Sequence, residues 1–164
     1  MKIHFIGIGG IGVSALAKYY LSQGIEISGS DSTKSEITDF FQEKRVSIHI
    51  GDHDPNLINK TIDKVIYSPA VPEDNSERKK AQELGLKVQS YPQALGELTK
   101  NHFTIAVAGS HGKSTIAAMI GLILEKAGFD PTVIISTKVK QFNNSNERTG
   151  QSKYLVIEAC EHFS

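Results

Sequence analysis

The sequence has one cysteine, no tryptophan and no net charge. A lone Cys160 excludes an internal disulfide framework and a cysteine-rich zinc site. It reads instead as a buried small hydrophobe, since nothing nearby suggests a base for it. The balance of 18 Lys+Arg against 18 Asp+Glu argues against holding nucleic acid or anionic membrane by bulk electrostatics. No apolar run approaches the roughly 20 residues that cross a bilayer. Met1-Lys2-Ile3-His4-Phe5 runs straight into a glycine loop, without the apolar core or cleavage site of a signal peptide. A cytosolic, cytoplasmic protein is the expectation. What remains is an ordinary folded composition, 39% hydrophobic and 22% charged over 164 residues. That excludes disorder and allows one large domain, or a small one with part of another.

Short β-branched runs alternate with longer helical patterns. Strands are predicted at 2–8, 25–29, 46–50, 64–68 and 86–89, and helices at 11–22, 35–44, 76–84 and 92–99. Residues 52–60 read as loop or one helical turn. A second unit follows, with strands at 103–108, 132–136 and 154–159 and a helix at 113–127. The stretch 141–151, with three asparagines and Gly150, reads as a polar loop and as the most mobile part of this half. The alternation implies an α/β fold with parallel sheets covered on both faces. The expected division is a Rossmann-like domain over 1–99 and an incomplete P-loop domain over 102–164.

Two glycine loops carry the chemistry. Gly7-Ile8-Gly9-Gly10-Ile11-Gly12 satisfies G-x-G-x-x-G between a predicted strand and a predicted helix. Glycine there permits a tight turn, close approach to a diphosphate and close helix packing, and the helix N-terminus favours an anion. Asp31 ends the second strand 19 residues after Gly12, where an acid accepts from a ribose hydroxyl. A structural turn beside a solvated Asp31 is the alternative. The second loop is Ala108-Gly109-Ser110-His111-Gly112-Lys113-Ser114-Thr115. Its G-K-S core suits backbone cradling of phosphates, with Lys113 on the β- and γ-oxygens and Ser114 or Thr115 on Mg²⁺. The loop is short, because Val107 stands where the usual pattern has its first glycine. A cation is disfavoured at a helix start, so Lys113 has no evident structural task. Glu158 ends the last strand, at the edge where parallel sheets gather ligands, and suits Mg²⁺ directly or through water. A solvated strand end is its alternative reading. His4, His49, His53, His102, His111 and His162 show no metal-ligand spacing.

The ordered set of motifs resembles the Mur ligases. It comprises I-H-F-I-G-I-G-G-I-G-V-S-A-L-A at 3–17, S-G-S-D at 28–31, S-P-A-V-P-E-D-N at 68–75, I-A-V-A-G-S-H-G-K-S-T at 105–115 and Y-L-V-I-E-A at 154–159. The family implies a UDP-sugar domain, a central ATPase and a third domain, of which this chain holds the first and part of the second. The implied reaction is ATP- and Mg²⁺-dependent joining of L-alanine to UDP-N-acetylmuramic acid in peptidoglycan synthesis, through an acyl phosphate. The resemblance places Gly7, Gly9, Gly10, Ile11 and Gly12 on the diphosphate and Asp31 at the ribose. It puts Ser68 and Ala70 in the sugar cleft and Gly109, Ser110, His111, Gly112, Lys113, Ser114 and Thr115 on ATP. Ser114 and Glu158 fall on Mg²⁺, and Lys113 and Glu158 are the catalytic candidates. The family often has threonine at positions 110 and 114 and an acid at 160. It also has an arginine near Tyr91-Pro92 and Gly-Gly at Ser136-Thr137. Murein-peptide recycling, a nicotinamide-dependent oxidoreductase (the first loop alone permits it) and a non-catalytic UDP-sugar-binding module are the alternatives. The 164-residue chain alone is expected to be inactive, and its second half, 102–164, either to self-associate or to be highly mobile, with weak ATP binding despite an intact phosphate loop.

Overall fold

The computed structural model describes residues 1–159; the readings made for Cys160 and His162 lie outside the described residues. The chain divides into two compact units, Met1–Ala94 and Leu95–Ser164. The division falls inside the helix Tyr91–Thr99, where the sequence pattern places it just beyond, at 99–102.

The first unit runs β1 (Lys2–Ile6), α1 (Ile11–Ser22), β2 (Glu26–Asp31), α2 (Glu36–Glu43), β3 (Ser47–Ile50), a 3₁₀ turn at Pro55–Leu57, β4 (Lys64–Tyr67), α3 (Ser76–Glu83), β5 (Lys87–Ser90) and α4 (Tyr91–Thr99). Its five strands are all parallel, in the order β3-β2-β1-β4-β5. Central β1 is buried on both faces, with Ile3, His4, Phe5 and Ile6 all nearly inaccessible, which explains its largely apolar run. His4 is the exception in that run. The chain moves outward from β1 to β3, then returns to β4 on the other side. The strand order therefore reverses at β1, and ligands gather at such a switch point. Local signals fix the helices. Ser35 closes a capping box with Thr38 at the start of α2, and Asn75 Oδ1 accepts from the N–H groups of Glu77 and Arg78 to start α3.

The second unit holds β6 (Phe103–Val107), α5 (Lys113–Lys126), β7 (Thr132–Val139), a 3₁₀ turn at Lys140–Phe142, β8 (Ser145–Arg148) and β9 (Tyr154–Glu158). The order is β6-β9-β7-β8. Here two expectations are corrected. The sheet is mixed, because β8 runs antiparallel to β7, and residues 141–151 are not simply a polar loop. Phe142 is buried in the core with Val133, Ile135 and Val139. Asn143 and Asn144 both adopt left-handed backbone, with φ of 56°, which reverses the chain as in primed hairpin turns. The return strand is polar because Arg148 holds it by long-range contacts. Its guanidinium donates to Pro131 O at 2.6 Å and Asp130 Oδ1 at 2.8 Å and pairs with Glu125 at 3.0 Å. α5 packs through Ala117, Ala118 and Gly121. A Cβ on Gly121 would lie 2.6 Å from Val133 Cγ2. Ile116, Met119 and Ile123 of α5 are exposed, as is Phe103 on β6.

Candidate functional site

The first unit carries a cavity of about 490 Å³ at the C-terminal ends of β1, β2 and β4. Gly7, Gly9, Gly10, Asp31, Ser68 and Ala70 line it together with Ser32, Thr33, Ser35, His53, Val71 and Pro72. Ile11 and Gly12, also assigned to a ligand from sequence, lie in the first turn of α1 outside that lining. Gly12 has a packing reason: a Cβ there would meet the Tyr91 ring at 3.0 Å.

The hydrogen bonds of this loop run mostly inward. Gly7 and Ile8 N–H donate to Ser30 O at 2.8 and 3.1 Å, and Gly10 N–H donates to Gly7 O at 3.1 Å. Gly9 N–H donates to Asp31 Oδ2 at 2.7 Å, and Thr33 N–H donates to Asp31 Oδ1 at 3.1 Å. Asp31 thus ties β2 to the glycine loop. A Cβ on Gly9 would sit 2.8 Å from that same carboxylate oxygen, so Gly9 is required by the loop's own closure.

Beside the cavity lies a buried polar cluster that sequence reasoning missed. Glu77 is fully buried. His4 Nε2 and Ser30 Oγ donate to its Oε2 at 2.9 and 2.8 Å, and His53 Nδ1 donates to its Oε1 at 2.8 Å. The donor roles follow from an ionised carboxylate, which only accepts. Burial raises the Glu77 pKa, but the hydrogen bonds from His4, Ser30 and His53 outweigh it and hold it below the ordinary carboxylate value. His4 Nδ1 also meets Ser28 Oγ at 2.9 Å. The available signal was a histidine inside an apolar strand, because a buried polar group requires a partner. Among the described residues no group of three or more His, Cys, Asp or Glu side chains suits a metal ion.

The second unit places its phosphate loop between β6 and α5. Gly112 caps the helix with φ of 73°, a left-handed conformation that glycine adopts without strain. Among the described residues, the N–H groups from Gly109 to Ser114 donate to no backbone carbonyl. Lys113 Nζ folds back to Gly109 O at 2.6 Å. β6 pairs with β9 so that Val107 stands opposite Glu158, which brings the last strand's acid to the loop. Ser114 Oγ donates to Glu158 Oε2 at 2.8 Å, and Ser136 N–H donates to the same oxygen at 2.9 Å. Glu158 is 6% exposed, while Ser110, His111 and Thr115 are exposed. Two hard oxygen donors beneath a run of unengaged N–H groups fit a divalent cation with phosphates.

No helix among the described residues is long and apolar enough to cross a membrane. Residues 2–103 match the Mur ligase family, catalytic domain. The UDP-N-acetylmuramate–L-alanine ligase of Clostridium perfringens is 42% identical over 162 residues, covering 98% of this chain and 35% of that protein. The protein of the same name from Caldicellulosiruptor saccharolyticus is 46% identical at the same coverage. Among solved structures, the UDP-N-acetylmuramate–alanine ligase of Thermotoga maritima superposes with a TM-score of 0.82 at 29% identity, covering 96% of this chain and 37% of that one. The UDP-N-acetylmuramate:L-alanyl-gamma-D-glutamyl-meso-diaminopimelate ligase of Neisseria meningitides gives 0.87 at 28%, covering 98% and 52%. The chain spans about a third of the length of the curated relatives it matches. With its motifs in family order, the switch-point cavity in the first unit and the phosphate loop in the second, this chain belongs to the Mur ligase family.

Proposed function

We propose that the chain carries the UDP-sugar site and the phosphate loop of an ATP-dependent ligase acting in peptidoglycan synthesis in the cytoplasm. The reaction joins L-alanine to the lactoyl carboxylate of UDP-N-acetylmuramic acid. ATP with Mg²⁺ supplies the phosphoryl group that activates this carboxylate as an acyl phosphate, from which the amine displaces phosphate. Lys113 neutralises the transferring phosphates, and the N–H groups of the 109–114 loop hold their oxygens in place. Ser114 and Glu158 hold the cation, and Ser136 N–H orients the Glu158 carboxylate. Thr115, one position on, supports the phosphates from the helix start. In the first unit, Asp31 keeps the glycine loop closed and takes the ribose, while Ser68 and Ala70 form a wall for the sugar. The protein's part is positioning and charge neutralisation.

One observation carries this reading. Ser114 and Glu158, 44 residues apart and drawn from separate motifs, meet at 2.8 Å beneath the loop. Titration with ATP and Mg²⁺ tests it: the wild-type chain should bind, Glu158→Gln should lose the Mg²⁺ dependence, and unchanged Mg²⁺ dependence would refute the assignment. We expect no alanine-dependent phosphate release from the 164-residue chain by itself. A murein-peptide ligase is the second reading, supported by the TM-score of 0.87 to such an enzyme. Comparing L-alanine with the tripeptide as amine substrate of the full-length enzyme separates the two. Self-association through exposed Ile116, Met119 and Ile123 belongs to the same proposal, since such apolar stripes mark contact surfaces. Sedimentation at rising concentration tests it.

A further inference from the structure

The first cavity presents a problem of charge. A UDP-sugar brings two phosphates, yet the N–H groups of Gly7, Ile8, Gly9 and Gly10 are engaged within the protein. The acid at the cavity wall, Asp31, has the wrong sign for a phosphate. Among the described residues no lysine or arginine lines the cavity, and His53 is the one lining side chain able to carry positive charge. Its side chain is 25% exposed, and Nδ1 is fastened to buried Glu77 at 2.8 Å. Ser76 Oγ donates to His53 O at 2.9 Å and fixes the backbone beneath the ring. An imidazole whose Nδ1–H donates to a carboxylate keeps Nε2 for a ligand. A histidine held this way is better ordered than a solvated one, so less entropy is lost on binding.

We propose that His53 binds the diphosphate of the UDP-sugar in the first-unit cavity, and that Glu77, held by His4 and Ser30, is the residue that positions its ring. This rests on the reading of that cavity as a UDP-sugar site and deepens it. Glu77 does not touch the ligand. It acts through His53, and His4 in the middle of β1 braces it from the sheet side. Two histidines on one carboxylate distribute the work: the buried ring supports the carboxylate, and the partly exposed ring meets the ligand.

The test titrates the 164-residue chain with UDP and, separately, with uridine. His53→Ala alters a side chain in a loop rather than in the core, and its fold is checked by thermal melting. We expect it to weaken UDP about tenfold, the size of one lost charge-assisted hydrogen bond, and to leave uridine unchanged. Glu77→Gln should weaken UDP in the same sense. It should also remove the Nδ1-protonated signature of His53 in ¹⁵N imidazole spectra, which a purely structural role for Glu77 would not move. If Glu77→Gln fails to fold, His53→Ala and the wild-type ¹⁵N spectrum decide alone. A wild-type chain that binds UDP alongside a His53→Ala variant that binds it equally well overturns the proposal. Equal loss of UDP and uridine also overturns it, by placing His53 at the base. If wild type binds neither ligand, the reading of the cavity itself fails.

Discussion

The two glycine loops look alike in sequence and use their backbone differently. Each joins a parallel strand to a helix, and each carries the glycine spacing of a phosphate cradle. In the first, four successive N–H groups, from Gly7 to Gly10, find acceptors inside the protein. In the second, the N–H groups from Gly109 to Ser114 find no backbone carbonyl among the described residues. Glycine spacing therefore reports a tight turn and close approach, while the fate of the N–H groups separates a closed loop from an anion cradle. Side chains follow the same division. The second loop has its own Lys113 and a Ser114–Glu158 pair. The first has Asp31 as a clasp, and among the described residues that line its cavity His53 is the basic side chain.

The largest expected effect breaks the second loop alone. Lys113→Ala should weaken ATP about 10- to 100-fold, as loss of hydrogen bonds to charged groups does, and leave UDP binding unchanged in the same calorimetric titration. Gly9→Ala should break the first loop alone. Its Cβ lands on Asp31 Oδ2 and forces the clasp open, so we expect a loss of about 1–3 kcal/mol in stability together with weaker UDP, measured by denaturant melting and titration. A bulky residue at Gly9 therefore disturbs Asp31 before it occludes a ligand.

Acid sharpens the contrast between the units. Glu77 has its pKa lowered in the folded state, so the stability it contributes is present above the ordinary carboxylate range. That stability is lost as pH falls through its lowered value. Asp130 is lowered too, by the Gln151 N–H and Arg148, but it is exposed and contributes less. Wild type should lose stability between neutral pH and that acid range more steeply than Glu77→Gln, read as melting temperature against pH. Parallel curves would show that Glu77 is not the acid-sensitive group. The smallest effect should come from Ser114→Thr, which keeps the hydroxyl facing Glu158 and should change Mg²⁺-dependent ATP binding no more than a few-fold.

Local signals were legible and distant partnerships were not. The apolar spacing after the first glycine loop defined a helix over 11–22, which α1 occupies, and the strands of the first unit follow their β-branched runs to within a few residues. β8 stayed hidden because Ser145–Arg148 has no apolar alternation. It is held by Arg148 against Asp130, Pro131 and Glu125, and by pairing with β7. The resemblance put Ser114 and Glu158 on one cation, but their direct contact between the first turn of α5 and the end of β9 could not be read from spacing. The His4–Glu77–His53 cluster joins β1, α3 and the segment after β3 across up to 73 positions. No spacing rule reaches that far.

The most direct measurement is an amide and side-chain NMR titration of this chain with UDP and with ATP plus Mg²⁺, singly and together. We expect UDP to perturb residues 7–10, Asp31 and His53, and ATP to perturb residues 109–115 and Ser136, with neither set moved by the other ligand. Perturbation of one shared set by both nucleotides, or displacement of UDP by ATP, would contradict two separate sites.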